Sequence, residues 1–301
     1  MRAGCRAMIG RRFFRLTLFG IFALVFALIA IDITLAWIYI SALTHPACPI
    51  PRTLEDISPP EEHWLPTEDG LTLRAWYYPS ENGRAILTAG GLGGSLGQTL
   101  PPVKSLIRAG YGVLQVDTRA CADPPARVTL GADEIYDAAA GLEFLIARPE
   151  IDPQRIGAFG FSMGAVTLIR ASARQPRIRA LIAEGGYANL GEHITQPGAE
   201  KSLPRQVFLY TVAETYWLQT GVNPWLVSPR DDLASIGSSP VLLIYGEGEI
   251  ERGGGWEQFK AAHKPKALWV VPGGDHGSNH LAAPQEYERR VLEFFEQELG
   301  E

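Results

Sequence analysis

The most informative motif of the chain is the pentapeptide Gly160-Phe161-Ser162-Met163-Gly164. The largely apolar residues 155–159 before it have strand character, and residues 165–173 after it are apolar and helix-like. A strand, a tight turn with a serine at its apex and a helix are the context that a G-x-S-x-G nucleophile elbow requires. The two glycines stand where a side chain would keep the strand and the helix apart. The pattern alone is weak, because it arises by chance in a chain of this glycine content with a probability of roughly one in five.

Short apolar strands alternate with helices over most of the remaining chain. A long insertion without clear alternation, residues 185–236, interrupts this order and contains a helix around residues 207–218. The alternation predicts a mostly parallel, doubly wound sheet, in which ligands bind at the carboxyl ends of the strands. The predicted strands are residues 62–66, 71–78, 84–88, 110–116, 155–159, 180–184, 241–245 and 267–271.

Partners for the serine follow it in the chain. A serine hydroxyl is a weak nucleophile at neutral pH, so it needs a base within hydrogen-bond reach and a third group that orients the base. In a sheet of this kind the order is serine, acid, histidine. The turn after the next-to-last strand contains Glu247, Glu249 and Glu251, and the turn after the last strand contains His276, with His280 close by. An acid and a histidine in the expected order arise by chance far less often than the pentapeptide.

These features together resemble the α/β-hydrolase superfamily of serine hydrolases, and specifically its membrane-anchored members with one N-terminal helix and a small lid. The resemblance covers about residues 62–300. Besides the elbow, it rests on the glycine-rich turn at residues 90–94, on Asp117-Thr118-Arg119 after the fourth strand, and on the return from the lid at residues 228–244. It implies an α/β-hydrolase fold with a mostly parallel doubly wound sheet and a lid insertion at residues 185–236, preceded by one transmembrane helix.

The same resemblance implies the roles of five residues. Ser162 is the nucleophile, Glu249 the acid and His276 the base. The backbone N–H groups of Leu92 and Met163 form the oxyanion hole that stabilises the tetrahedral anion. No cofactor and no metal is implied.

Three departures from the family pattern affect these assignments. Gly90 stands where the family usually has a histidine, so we expect the oxyanion loop to lose a side-chain support. Arg119 lacks the usual glycine after it, and the acid is a glutamate where aspartate is commoner. Glu247 and Glu251 remain rivals to Glu249, which the register favours. His280 fits the start of the last helix better than the role of base.

The N-terminal segment has the composition of a membrane span. Residues 16–40 are nearly all apolar with one charge, Asp32, and 25 residues are enough to cross a bilayer as a helix. The segment is longer than a signal-peptide core and no A-x-A cleavage site follows it. We therefore expect an uncleaved anchor, with a cleaved signal or a buried helix of a soluble protein as the alternatives.

Charge predicts the orientation of this anchor. Residues 1–15 carry five arginines and no acid, while the charged residues that follow the anchor are mainly acids. The positive-inside rule then predicts a cytoplasmic N-terminus at residues 1–15, an anchor at 16–40, a linker at 41–61 and a hydrolase domain at 62–301 on the periplasmic or extracellular side.

Cys48 and Cys121 would face an oxidising compartment in this orientation. They are free to pair there, but two cysteines so far apart in sequence give no geometric support for a bond, and we expect them unpaired. The net charge of −6 and the lack of a basic stripe beyond the N-terminus argue against a nucleic-acid partner.

The sequence therefore predicts a serine hydrolase that cleaves ester, thioester or amide bonds through an acyl-enzyme intermediate. The expected substrate is a small molecule or a lipid acyl group, the latter suggested by the anchor and the aromatic residues of the lid. An acyltransferase is the alternative enzyme. A third hypothesis is a non-catalytic binding protein that retains the fold. Gly90, in place of the family's usual histidine, supports this hypothesis. The oligomeric state does not follow from the sequence.

Overall fold

The computed structural model describes the backbone of residues 2–94, 96–196 and 202–300, and within these ranges the side chains from residue 14 onward. The strands, in chain order, are β1 Glu61–Pro66, β2 Thr72–Tyr78, β3 Ala85–Ala89, β4 Gly112–Val116, β5 Ile156–Phe161, β6 Ala180–Glu184, β7 Val241–Gly246 and β8 Lys266–Val271. The helices are α1 Arg2–Thr44, α2 Leu100–Arg108, α3 Glu134–Ile146, α4 Met163–Ser172, α5 Leu190–Thr195, α6 Leu203–Thr220, α7 Pro229–Leu233, α8 Gly255–Ala261, α9 Asn279–Ala282 and α10 Pro284–Leu299. Two short 3-10 helices cover Arg119–Cys121 and Pro224–Leu226.

The eight strands form one sheet in the order β1-β2-β4-β3-β5-β6-β7-β8. β2 runs antiparallel to both β1 and β4. The strands from β4 across to β8 are parallel to one another. This arrangement confirms the mostly parallel, doubly wound sheet that the alternation of strands and helices predicts.

Each face of the sheet is buried under its own set of helices. In β7, Leu243 and Tyr245 belong to the core shared with α3 and α4, while Leu242 and Ile244 belong to the core shared with α2 and α10. Successive side chains of a strand point to opposite faces, so a strand buried on both faces reads as a continuous apolar run. Because the strands from β4 across to β8 are parallel, their carboxyl ends all lie at one edge of the sheet, and the turns that follow them lie side by side there.

Helix α1 projects from this domain. Its apolar part, Phe14–Thr44, has a mean hydropathy of 2.6 and is long enough to cross a membrane. None of its most apolar window is buried against the rest of the chain, so it is not the core helix of a soluble domain. Among the α1 residues whose side chains are described, those of the last turns are covered, where Ala36 and Ile40 pack against Val212 and Tyr216 of α6.

A disulfide joins Cys48 to Cys121 across 73 residues of chain. The expectation that these cysteines are unpaired was wrong. Spacing alone gave no reason to bring them together, but the segment after α1 folds back along the domain, and the N–H of Arg52 donates to the carbonyl of Leu96 at 2.9 Å. The disulfide ties the segment that follows the anchor to the loop that follows β4.

Candidate active site

Ser162 occupies a sharp turn between β5 and α4. Its φ of 55° and ψ of −119° lie in a region that residues with a side chain rarely adopt. A Cβ at Gly160 would lie 2.4 Å from the carbonyl oxygen of Gly164, and a Cβ at Gly164 would lie 2.1 Å from the carbonyl oxygen of Ala89. Neither position has room for a side chain, so the two glycines allow the strand and the helix to approach and the serine to project at the apex.

Ser162, His276 and Glu249 form one hydrogen-bonded chain. His276 lies in the turn after β8, with Nε2 2.9 Å from Ser162 Oγ and Nδ1 2.7 Å from Glu249 Oε2. Glu249 lies in the turn after β7, and its Oε1 accepts the N–H of Gly246 at 2.9 Å. The structure thus brings together the three side chains that the sequence analysis selected, from the ends of three different strands.

Electrostatics favour an ionised acid beside this histidine. Although burial acts in the opposite direction, hydrogen bonds from His276 and the backbone of Gly246 lower the pKa of Glu249. The hydrogen bond to Glu249 raises the pKa of His276 above its ordinary value, against the effect of burial. A carboxylate that accepts a hydrogen bond from Nδ1–H holds the proton of the neutral imidazole on Nδ1, so Nε2 is free to accept a proton from the serine.

The rival candidates have other partners. Glu247 accepts the N–H of Gly273 at 3.1 Å, and Glu251 accepts the indole N–H of Trp256 at 3.1 Å. His280 packs edge-on against Tyr287, with ring centroids 6.2 Å apart.

The glycine-rich loop after β3 lies directly against the serine. A Cβ at Gly91 would be 3.1 Å from Ser162 Cβ, and Leu92 and Met163 line the cavity beside Ser162. The backbone N–H of Gly91 donates to Gln98 Oε1 at 2.8 Å. The expected loss of a side-chain support for this loop was therefore wrong, because Gln98 supplies one. No pattern in the sequence distinguishes this glutamine from other polar residues of the turn.

A second carboxylate lies behind the first. Asn279 Nδ2 donates to Glu249 Oε1 at 3.0 Å and to Glu184 Oε1 at 2.9 Å, and Tyr287 Oη donates to Glu184 Oε2. Burial raises the pKa of Glu184 to about 7. The sequence analysis missed this group; the available signal was a charged residue that closes the otherwise apolar strand β6. Through Asn279 it holds the acid of the hydrogen-bonded chain in place.

Replacement of Glu184 by glutamine should change how stability depends on pH. The unfolded glutamate loses its proton near pH 4.5, while the folded one keeps it to about pH 7, so in this window the unfolded state binds fewer protons and the folded state loses stability as the pH rises. The full difference is about 3 kcal/mol. Glutamine does not titrate and keeps an acceptor for Asn279, so the stability of the variant relative to the wild type should increase between pH 4.5 and 8. Denaturant unfolding in detergent measures this difference.

The control for this experiment is Glu247→Gln, which removes an exposed carboxylate from the turn after β7. A difference between Glu184→Gln and wild type that stays constant with pH would contradict the assignment.

Two cavities meet at Ser162. The larger, of about 320 Å³, is mostly apolar and extends from Ser162 towards α1 and α6. The other, of about 270 Å³, is bordered by Tyr187, His193 and Arg252 as well as by Ser162 and His276. Tyr187 and His193 border both cavities, whereas Arg252 borders the second and not the first. A substrate at Ser162 therefore has two adjoining spaces, and the second carries the charged side chain of Arg252.

Comparisons with known proteins find similarity to a peptidase family over part of the chain and to two curated proteins. The family model of the X-Pro dipeptidyl-peptidase (S15 family) matches residues 71–217. The protein YfhR of Escherichia coli strain K12 is 26% identical over 221 residues, which are 69% of this chain and 70% of that one. The polyketide transferase ATR5 of Stachybotrys chlorohalonatus is 35% identical over 122 residues, 39% of this chain and 41% of that one.

Among solved structures, the Pyrococcus furiosus esterase Pf2001 superposes with a TM-score of 0.67 at 25% identity, and the match covers 85% of this chain and 100% of the esterase.

Proposed function

We propose that the chain cleaves carboxylic esters, with Ser162 as nucleophile, His276 as base and Glu249 as the acid that orients the base. The proposal starts from the finding that the chain is a serine hydrolase of the α/β-hydrolase superfamily. The observation that carries this proposal is the hydrogen-bonded chain from Ser162 Oγ through the imidazole to Glu249, at 2.9 and 2.7 Å. Of the acyl bonds considered, the ester is favoured, because the similar esterase is matched over its whole length, whereas the peptidase family model matches residues 71–217 alone.

The proposed reaction has two steps. His276 Nε2 takes the proton of Ser162 as Oγ attacks the carbonyl carbon, and the anion that forms is stabilised by the N–H groups of Leu92 and Met163. His276 then gives the proton to the leaving alcohol, which departs and leaves an acyl group on Ser162. Water, deprotonated by His276, attacks this acyl-enzyme. The acid then leaves as its bond to Ser162 Oγ breaks, and His276 returns the proton to Oγ.

A fluorophosphonate probe tests this proposal directly, because it reacts with an activated serine. The purified wild-type chain should take up one label, and mass spectrometry of the digest should place it on the peptide that contains Ser162. A wild-type chain that resists the probe, or that carries it on another residue, contradicts the proposal.

Acyl transfer is the second candidate, favoured by the likeness to the polyketide transferase ATR5. It uses the same acyl-enzyme, with an alcohol or amine in place of water. Product analysis of an ester reaction with added glycerol distinguishes the two: free acid as the main product supports hydrolysis, and glyceryl ester as the main product supports transfer.

For the location of the chain, we infer that α1 is an uncleaved anchor, with residues 1–15 in the cytoplasm and residues 62–301 outside. The length and apolar character of Phe14–Thr44 support the anchor. The disulfide between Cys48 and Cys121 supports an oxidising compartment for the domain, since such bonds are rare in the cytosol.

Membrane fractionation of cells that express the chain tests this location. After an alkaline carbonate wash, the full-length chain should stay in the membrane pellet, and reagents that alkylate thiols should leave Cys48 and Cys121 unmodified until a reductant is added. A shortened chain in the soluble fraction would show a cleaved signal instead.

A further inference from the structure

We propose that the last turns of α1 form a wall of the acyl pocket, so that the substrate is a long-chain ester of a membrane lipid whose acyl chain lies between α1, α6 and Ser162. This inference rests on the proposed function, because it names the group that occupies one side of the nucleophile. It gives the anchor a part in substrate binding in addition to attachment.

The larger cavity provides the first argument. Its volume of about 320 Å³ is within the range of small-molecule binding sites. The helix that would cross the membrane contributes three of its side chains and α6 contributes two, and the cavity ends at the nucleophile. These residues are Tyr39, Ile40 and Leu43 of α1, Leu209 and Val212 of α6, and Ser162.

Polar contacts fix the rotation of α1 against α6. Thr211 Oγ1 donates to Asp32 Oδ2 at 2.6 Å, and Gln219 Nε2 donates to the carbonyl of Trp37 at 3.0 Å and to Ser41 Oγ at 3.1 Å. Asp32 is the one acidic residue of the apolar segment, and it has a partner on the domain. A helix that served only as a tether would not need these bonds. They keep Ile40, which is fully buried, turned towards the cavity.

The outer face of α6 indicates where the pocket opens. Five of its apolar side chains recur at the spacing of one helix face and are between 44% and 78% exposed: Leu203, Val207, Tyr210, Trp217 and Leu218. Exposed apolar surface of this kind marks a contact with a partner or a membrane. Because α6 packs along the end of α1, a membrane that contains α1 brings this face to the bilayer surface, where tryptophan and tyrosine are enriched. A lipid can then pass from the bilayer into the cavity.

The second cavity at Ser162 complements this arrangement. It also has apolar surface, but Arg252 and His276 border it and do not border the larger cavity, so it suits a polar alcohol better than a hydrocarbon chain. An ester with a long acyl chain and a polar alcohol therefore fits both sides of the nucleophile, and such molecules are membrane lipids.

Chain-length selectivity tests the proposal. The assay is hydrolysis of p-nitrophenyl acetate and p-nitrophenyl laurate by the full-length chain in detergent micelles, and the readout is the ratio of kcat/KM for laurate to that for acetate. The wild type should prefer laurate. Ile40→Trp fills the cavity and should lower the ratio by about tenfold or more. Ile38→Trp adds the same side chain on the exposed side of the same helix and should leave the ratio unchanged.

Leu43→Trp is the second cavity variant, and it should also lower the ratio. Leu43 is half-buried, so a tryptophan there should disturb folding less than a tryptophan at Ile40. Fluorophosphonate labelling of each variant identifies the chains that are folded. If labelled cavity variants keep the wild-type ratio, or if the wild type prefers acetate, the acyl pocket proposal is overturned while the hydrolase stands. A wild type that neither labels nor hydrolyses acetate overturns the proposed function instead.

Discussion

Replacement of Ser162 by alanine should lower the turnover of an ester by about a million-fold while the chain stays folded. The change removes the only atom that forms the acyl bond in the proposed mechanism, and the remaining imidazole and carboxylate have no nucleophile to activate. Alanine keeps the Cβ and fits the turn as serine does, so the free energy of unfolding should change by less than about 1 kcal/mol. Steady-state kinetics with p-nitrophenyl acetate and thermal unfolding in detergent measure the two effects.

The matched control for this experiment is Ser239→Ala, which removes a serine hydroxyl that donates to the carbonyl of Ile178. This hydrogen bond lies at the edge of the sheet opposite to the site. Its turnover should stay within about twofold of the wild type. If Ser162→Ala retained more than about one percent of the activity, the nucleophile would be another residue.

The elbow and its partners could be predicted because their requirements are local. Gly160 and Gly164 are required by the close approach of one strand and the helix that follows it, and this constraint lies within five consecutive residues. His276 and Glu249 each follow a strand directly, so the alternation of strands and helices was enough to bring them to one edge. The choice of Glu249 over its neighbours depended on the register of a single turn, which is why the sequence left the rivals open.

The features that the sequence did not predict depend on contacts between distant segments. Asn279 and Glu184 are 95 residues apart, and no pattern links them. Gln98 contacts Gly91 within one loop, but its role depends on how that loop folds back on itself. The bond between Cys48 and Cys121 and the packing of α1 on α6 require the path of the segment after the anchor, which has no periodicity to predict it. In each case the determining quantity is tertiary geometry.

Replacement of Glu249 by glutamine should lower kcat by about ten-thousand-fold, the loss expected when the acid of such a triad becomes an amide. The amide nitrogen can donate a hydrogen bond to His276 Nδ1, which favours the tautomer that carries its proton on Nε2. In that tautomer Nε2 faces Ser162 Oγ with a hydrogen and cannot accept the serine proton. The nucleophile, the histidine and the fold are unchanged, so fluorophosphonate labelling should become slow, with the protein still folded.

Two variants in the same turn decide between the three acids. Glu247→Gln and Glu251→Gln remove carboxylates whose partners are Gly273 and Trp256, so both should keep kcat within about threefold of the wild type.

The pH profile adds a second readout. The carboxylate of Glu249 raises the pKa of His276, and the base must be neutral, so the wild-type kcat/KM should rise through a pKa above 6.5. In Glu249→Gln this limb should move to lower pH. The carboxylate that stabilises the protonated form of His276 is gone, so the histidine loses its proton at a lower pH. A large loss in Glu251→Gln with an unchanged limb in Glu249→Gln would assign the acid to Glu251.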